Sequence, residues 1–147
     1  MSRIDGRWAG EALSLLRIVA SLLFLLHGSA KLLGFPASGM PSPPVGSLFW
    51  VGGLLELFGG LLLLVGLFSR PVAFILSGEM AVAYWMAHAP KSTFPMLNGG
   101  EAAILFCFVF LAVAAAGPGP WSLDASLRRR RTEPVRDIDE EGVTTLP

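Results

Sequence analysis

SLFWVGGLLELFGGLLLLVGLF, residues 47–68, is an apolar run broken by a single carboxylate, Glu56. Its length matches the ~20 residues that an α-helix needs to cross the hydrocarbon layer of a bilayer. Apolar and polar positions do not alternate along it, so it does not read as a half-exposed strand. Three further runs of similar length, 12–35, 71–89 and 97–116, share its character. A segment inside a bilayer must satisfy its backbone N–H and C=O groups internally, which leaves helices or closed barrels. Strand-like alternation is absent throughout. The predicted fold class is therefore all-α: a four-transmembrane-helix bundle.

Composition agrees. Of 147 residues, 53% are hydrophobic, and the mean hydropathy of +0.62 is too high for an ordinary soluble domain. Net charge is zero, and five of the eleven basic residues fall in the last twenty positions. That distribution argues against nucleic acid as a partner. Cys107 is the one cysteine, which excludes an intrachain disulfide, a CxxC redox pair and a cysteine-based zinc site.

With an even number of spans, Arg3, Arg7, Arg70 and the run Arg128–Arg131 share one side, while Lys31 and Lys91 lie toward the other. The positive-inside rule makes the arginine-bearing side cytoplasmic, with both termini there. The first run could instead be a signal peptide, with Gly28-Ser29-Ala30 as a cleavage site. Its length and the early Arg17 argue against that. The expected organisation is a cytoplasmic N-terminal segment (1–11), a four-helix transmembrane domain (12–117), an interfacial segment with a basic run (118–131) and a disordered tail (132–147).

The connections are legible too. Ser69-Arg70-Pro71 is a tight turn with Pro71 in the first turn of the next helix, where a missing N–H is no loss. Asn98 is the expected N-cap of the fourth helix. Gly117-Pro118-Gly119-Pro120 ends that helix. Trp121 suits the headgroup level, and the arginines after it suit anionic lipid heads.

Seven ionisable residues fall in or near the spans: Arg17, His27, Lys31, Glu56, Glu79, His88 and Glu101. A charge at the bilayer centre costs about 3 kcal/mol on insertion scales, so such residues should pair or line a wet cavity. Arg17 and Lys31 have the alternative of snorkelling to headgroups. Gly52 and Gly59 form one row at spacing seven and Gly53 and Gly60 another, both on the side of helix two that carries Glu56. Glycine rows admit close helix packing in a bilayer. Counting depth at 1.5 Å per residue sets Arg17 and Lys31 about 21 Å apart along helix one. Glu56 and Glu79 then lie near the middle, with His88 and Glu101 toward the outer side. The expectation is one polar pocket formed by His27, Lys31, Glu56, His88 and Glu101, with Glu79 turned toward Arg17 as an ion pair.

Two histidines on different helices raise the question of haem. Little else in the sequence specifies haem ligation, so haem is disfavoured. No P-loop, GxGxxG, HExxH or nucleophile-elbow pattern occurs, and no metal is expected. Cys107, among Phe106, Phe108 and Phe110, reads as an inert thiol.

Four segments together carry a resemblance: LRIVASLLFLLHGSAKLLGF (16–35), LLELFGGLLLLVGLFSRPVAF (54–74), GEMAVAYWMAH (78–88) and GPGPWSLDA (117–125). In order and spacing, over about residues 12 to 125, they resemble the DoxX family of small bacterial four-helix membrane proteins. Pro120 departs from the pattern, standing where many relatives have a basic residue. The resemblance implies a bacterial inner-membrane protein linked to redox systems. Some relatives are associated with thiosulfate–quinone oxidoreduction or quinone detoxification, and most have no established activity. Three function classes follow as expectations. The first is a component that binds a quinone-like molecule, with a redox partner protein bringing electrons. The second is an accessory subunit docking through its glycine faces. The third is a small-solute or proton carrier, which with four helices would call for a homo-oligomer.

Overall fold

The computed structural model describes residues 3–37, 39 and 41–132, with the side chains of 3–7 and 132 outside that description. The predicted disordered tail lies outside the described residues except for Thr132. All regular structure among the described residues is helical.

Helix α1 spans Arg3–Leu33, beginning well ahead of the apolar run because RIDGRWAGEA holds no proline to stop it. Helix α2 (Leu48–Leu54) is capped by Ser47, whose side chain accepts the Trp50 N–H. It continues through a π-helical turn, Leu55–Gly59, into α3 (Gly60–Val65). Gly66 ends this rod at a φ of 74°, a left-handed conformation that glycine adopts without Cβ strain. Helix α4 (Ser69–Ala83) likewise runs into a π-helical turn, Tyr84–His88. A short α5 (Pro95–Asn98) precedes α6 (Glu101–Ala116), and α7 (Leu123–Thr132) carries the arginine run.

Asn98 does not cap α6 as expected. Its Oδ1 accepts the Gly100 N–H at 2.7 Å, a local turn two residues long, and Gly100 itself stands at the N-cap position. Asn side chains favour such short-range bonds to the following backbone.

Two helical stretches, Trp8–Leu33 and Leu48–Val65, are long and apolar enough to cross a membrane, and α6 is a shorter apolar helix. Only 28% of each span is buried within the protein, so neither is the core helix of a water-soluble domain. Many of their leucines and phenylalanines, among them Leu15, Leu22, Phe49 and Phe58, face outward instead. Helix α1 packs along the α2–α3 rod, and α4 packs along α6. Phe24, Leu63, Leu76, Phe110 and Val113 close the small core between them.

The two glycine rows serve two neighbours. A Cβ on Gly53 would stand 3.0 Å from Leu32 Cγ, and one on Gly60 would stand 3.2 Å from the Leu25 backbone, both on α1. A Cβ on Gly52 would instead meet Glu79 Oε1 at 3.1 Å, and one on Gly59 would meet Leu76 at 2.8 Å, both on α4. Helix α1 answers with Gly28, where a Cβ would stand 2.5 Å from the Leu57 backbone nitrogen. Helices α1 and α4 thus both approach the Glu56 turn closely, from different sides.

Candidate functional site: a buried carboxylate pair beside Lys31

Glu56 lies within the π-helical turn, between the two glycine rows, and is 2% exposed. A π turn carries one residue more per hydrogen-bonded ring than an α turn, and such turns recur at functional sites. From the α1 side Lys31 reaches in: its Nζ donates to Glu56 Oε1 at 2.5 Å. The lysine side chain is 26% exposed and the glutamate 3%, so the pair links an accessible cation to a sequestered anion.

From the α4 side comes Glu79, lodged in the notch that Gly52 leaves open. It lies within Coulombic reach of both Glu56 and Lys31. Two carboxylates therefore share one lysine. Oε2 of Glu56 and Oε2 of Glu79 are both buried with no hydrogen-bond partner in the protein. A buried polar atom without a partner costs roughly 1–3 kcal/mol, more for a charged group. Such a pair of orphaned acceptors is what a donor-bearing ligand, or protons, would complete.

His27 is exposed on α1, against Phe106, and within Coulombic reach of Glu56. Its Nδ1 lies 2.9 Å from the Leu23 carbonyl. A carbonyl only accepts, so Nδ1 carries the proton and Nε2 is left to exchange one.

The remaining expected pocket residues lie elsewhere. His88 Nδ1 donates to the Asn98 carbonyl at 3.1 Å, and its ring stacks on Tyr84. Glu101 opens α6 on an exposed face and makes no hydrogen bond or ion pair among the described residues. Among the described residues no hydrogen bond or ion pair joins either to the Lys31–Glu56–Glu79 cluster, and none joins the two histidines.

The expected Arg17–Glu79 ion pair does not form. Arg17 is completely buried, and its guanidinium is consumed by backbone carbonyls. Nε donates to Pro118 at 2.9 Å. Nη1 donates to Leu63 and, at 2.8 Å, to Leu64. Nη2 donates to Trp121 at 2.5 Å. Leu63 and Leu64 lie in the last turn of α3, whose carbonyls carry the negative end of the helix dipole. Five donors in a fixed fork suit that task as a lysine would not.

The same end holds two further clasps. Arg70 donates to the carbonyls of Ala114, Ala115 and Ala116 at the end of α6. Asp124 accepts the Phe68 N–H at 3.0 Å and the Ser69 N–H at 2.8 Å. It thereby caps the start of α4 from a distant segment, where Phe68 provides no side-chain cap. Partial burial alone would raise the Asp124 pKa. The bonds from Ser69 and Phe68 and the charge of Arg128 outweigh it, holding the carboxyl below its usual value.

Apolar spans, glycine-notched packing and ionisable groups sequestered between helices define a small helical membrane protein. The DoxX family model matches residues 12–89, more than half of the chain. The chain belongs to the DoxX family, a membrane-associated family. An uncharacterised protein of Haemophilus influenzae is 45% identical to it over 120 residues, covering 76% of this chain and 87% of that protein. No solved structure matches the chain.

Proposed function

We propose that this protein is a four-span component of the bacterial inner membrane that binds a quinone-like molecule at Lys31, Glu56 and Glu79. Both termini face the cytoplasm, following the distribution of basic residues. One observation carries the ligand reading: two buried carboxylate oxygens from different helices lack partners, beside a lysine already engaged. Unmatched buried acceptors select ligands with hydroxyl or amine donors. A hydroquinone presents two such hydroxyls on an apolar ring, which suits the neighbouring Leu32, Leu76 and Phe106. Its oxidation releases two protons and two electrons. Glu56, Glu79 and the free nitrogen of His27 would take up the protons, and a partner redox protein would take the electrons.

The accessory-subunit alternative relied on glycine faces for docking. Those faces are occupied by α1 and α4 within the chain itself, which weakens it.

The test is retention of ubiquinol or menaquinol by purified protein in a mild detergent, read by native mass spectrometry. Wild type should retain quinol, and Glu56→Gln and Glu79→Gln should lose it by about tenfold or more, the scale for a missing buried hydrogen-bond partner. Equal retention by all three proteins would refute this reading.

A further inference from the structure

The connection between α4 and α6 is built inside out. Asn98 is 4% exposed, while Phe94, Met96 and Leu97 are 66%, 74% and 69% exposed. Buried polar and exposed apolar side chains invert the division expected of a water-facing loop. The asparagine is the hub of this connection. Its Nδ2 donates to the Ser92 carbonyl at 2.8 Å, its Oδ1 accepts the Gly100 N–H, and its main-chain carbonyl accepts His88 Nδ1. The backbone is paired inward as well. The N–H groups of Leu97 and Asn98 donate to the Phe94 carbonyl, those of Gly99 and Gly100 to the Pro95 carbonyl, and that of Phe94 to Ser92 Oγ. Pro95 has no N–H to satisfy. Gly100 lets the segment close down on α4, since a Cβ there would stand 2.7 Å from the Tyr84 ring. The apolar side chains are therefore held outward by a closed polar interior.

We infer that Phe94, Met96 and Leu97 form an apolar lobe that inserts into the bilayer, in the leaflet opposite the arginine run. Inward pairing of backbone groups is what hydrocarbon demands of a segment, because lipid tails cannot replace water as a partner. A loop in water has no such need. Continuity selects lipid over a protein partner. Trp85 and Met86, exposed at the end of the α4 rod, carry its lipid-facing surface up to the connection. Lys91 and Thr93, exposed just before the lobe, supply polar ends at headgroup level. The arrangement is that of a segment lying in the interface with its apolar side in the acyl boundary. It is independent of the ligand reading and rests on α4 and α6 crossing the membrane.

The experiment places single nitroxide labels on the full chain, in a Cys107→Ala background, reconstituted in phosphatidylcholine vesicles. Each label's collisions with oxygen, which partitions into lipid, are compared with those with a water-soluble nickel chelate. Met96→Cys should favour oxygen several-fold, as should Val82→Cys on the outward face of α4. Ser42→Cys, in the exposed proline-rich loop, should favour the chelate. Melting in detergent confirms that each variant is folded. Preference for the chelate at Met96→Cys, with oxygen preferred at Val82→Cys, would overturn the lobe alone. Preference for the chelate at both would overturn the crossing of α4 and the lobe with it. Few collisions with either reagent at Met96→Cys would put a second copy of the chain in place of lipid, and would also overturn it.

Discussion

The two ends of this molecule treat buried charge in opposite ways. Around Arg17, Arg70 and Asp124, nearly every charged donor and acceptor meets a backbone partner, and the orphaned atom is one hydroxyl, Ser69 Oγ. Around Glu56 and Glu79, two carboxylate oxygens remain unmatched beside a single lysine. Charged side chains at the first end replace helix ends and loop bonds that the chain would otherwise lack, so they contribute to folding. Those at the second carry an energetic cost that folding does not offset locally. Natural proteins keep such costs where function needs them. A buried charge in a membrane helix is thus informative through its partners rather than through its presence.

The contrast can be broken most severely at Arg17. Arg17→Met removes the donor for four backbone carbonyls and should cost about 3–5 kcal/mol, the scale for breaking a buried charged network. Arg17→Lys should recover little of that, because one ammonium cannot span acceptors on α3 and on the loop after α6. Thermal or denaturant unfolding in micelles measures both.

Gly28→Ala comes next. The new Cβ would collide with the backbone of the Glu56 turn, and forcing α1 away should cost about 1–3 kcal/mol. It should also weaken quinol retention, since Lys31 moves with α1. Stability falling without any change in retention would uncouple the Lys31–Glu56 contact from the ligand.

Asp124→Asn sharpens the comparison through pH. The Asp124 carboxyl has a depressed pKa in the folded protein. Its stabilisation is therefore present above the unfolded value of about 4 and is lost as pH falls through the lower folded value. Wild type should lose stability in that acid window, and the variant should lose less there. At neutral pH the variant should be about 1 kcal/mol less stable, the usual worth of a helix cap. An unchanged acid profile in the variant would remove Asp124 from the clasp.

At Glu79 the expected effect on stability has the opposite sign. Replacing it by leucine removes an unmatched buried acceptor and one of two neighbouring carboxylates. Stability should stay constant or rise by about 0.5–2 kcal/mol, while quinol retention falls.

Much of this was legible in the sequence, for physical reasons that differ by residue. Hydropathy marks the helical runs because burial in lipid demands length and apolarity together. Spacing of seven brought Gly52 with Gly59 and Gly53 with Gly60, since helical geometry fixes which residues share a face. It could not separate the two rows, because a rotation of about 100° between adjacent residues suffices to face different neighbours. Depth counting had set Glu56 and Glu79 at one level, and the notch at Gly52 was the remaining clue that they meet. The sequence pairs Arg17 with Glu79 wrongly because its partners are main-chain carbonyls, which no residue letter distinguishes. The π-helical turns at Leu55–Gly59 and Tyr84–His88 left no mark that periodicity could detect, and they alter which side chains face one another.

If the arginine end holds the fold while the carboxylate pair is kept for a ligand, the melting of wild type, Arg17→Met and Glu79→Leu side by side in one lipid-free detergent separates the two roles. Tm should fall steeply for Arg17→Met and stay unchanged or rise for Glu79→Leu. A fall for Glu79→Leu as large as that for Arg17→Met would contradict that division, and would make the carboxylate pair part of the scaffold.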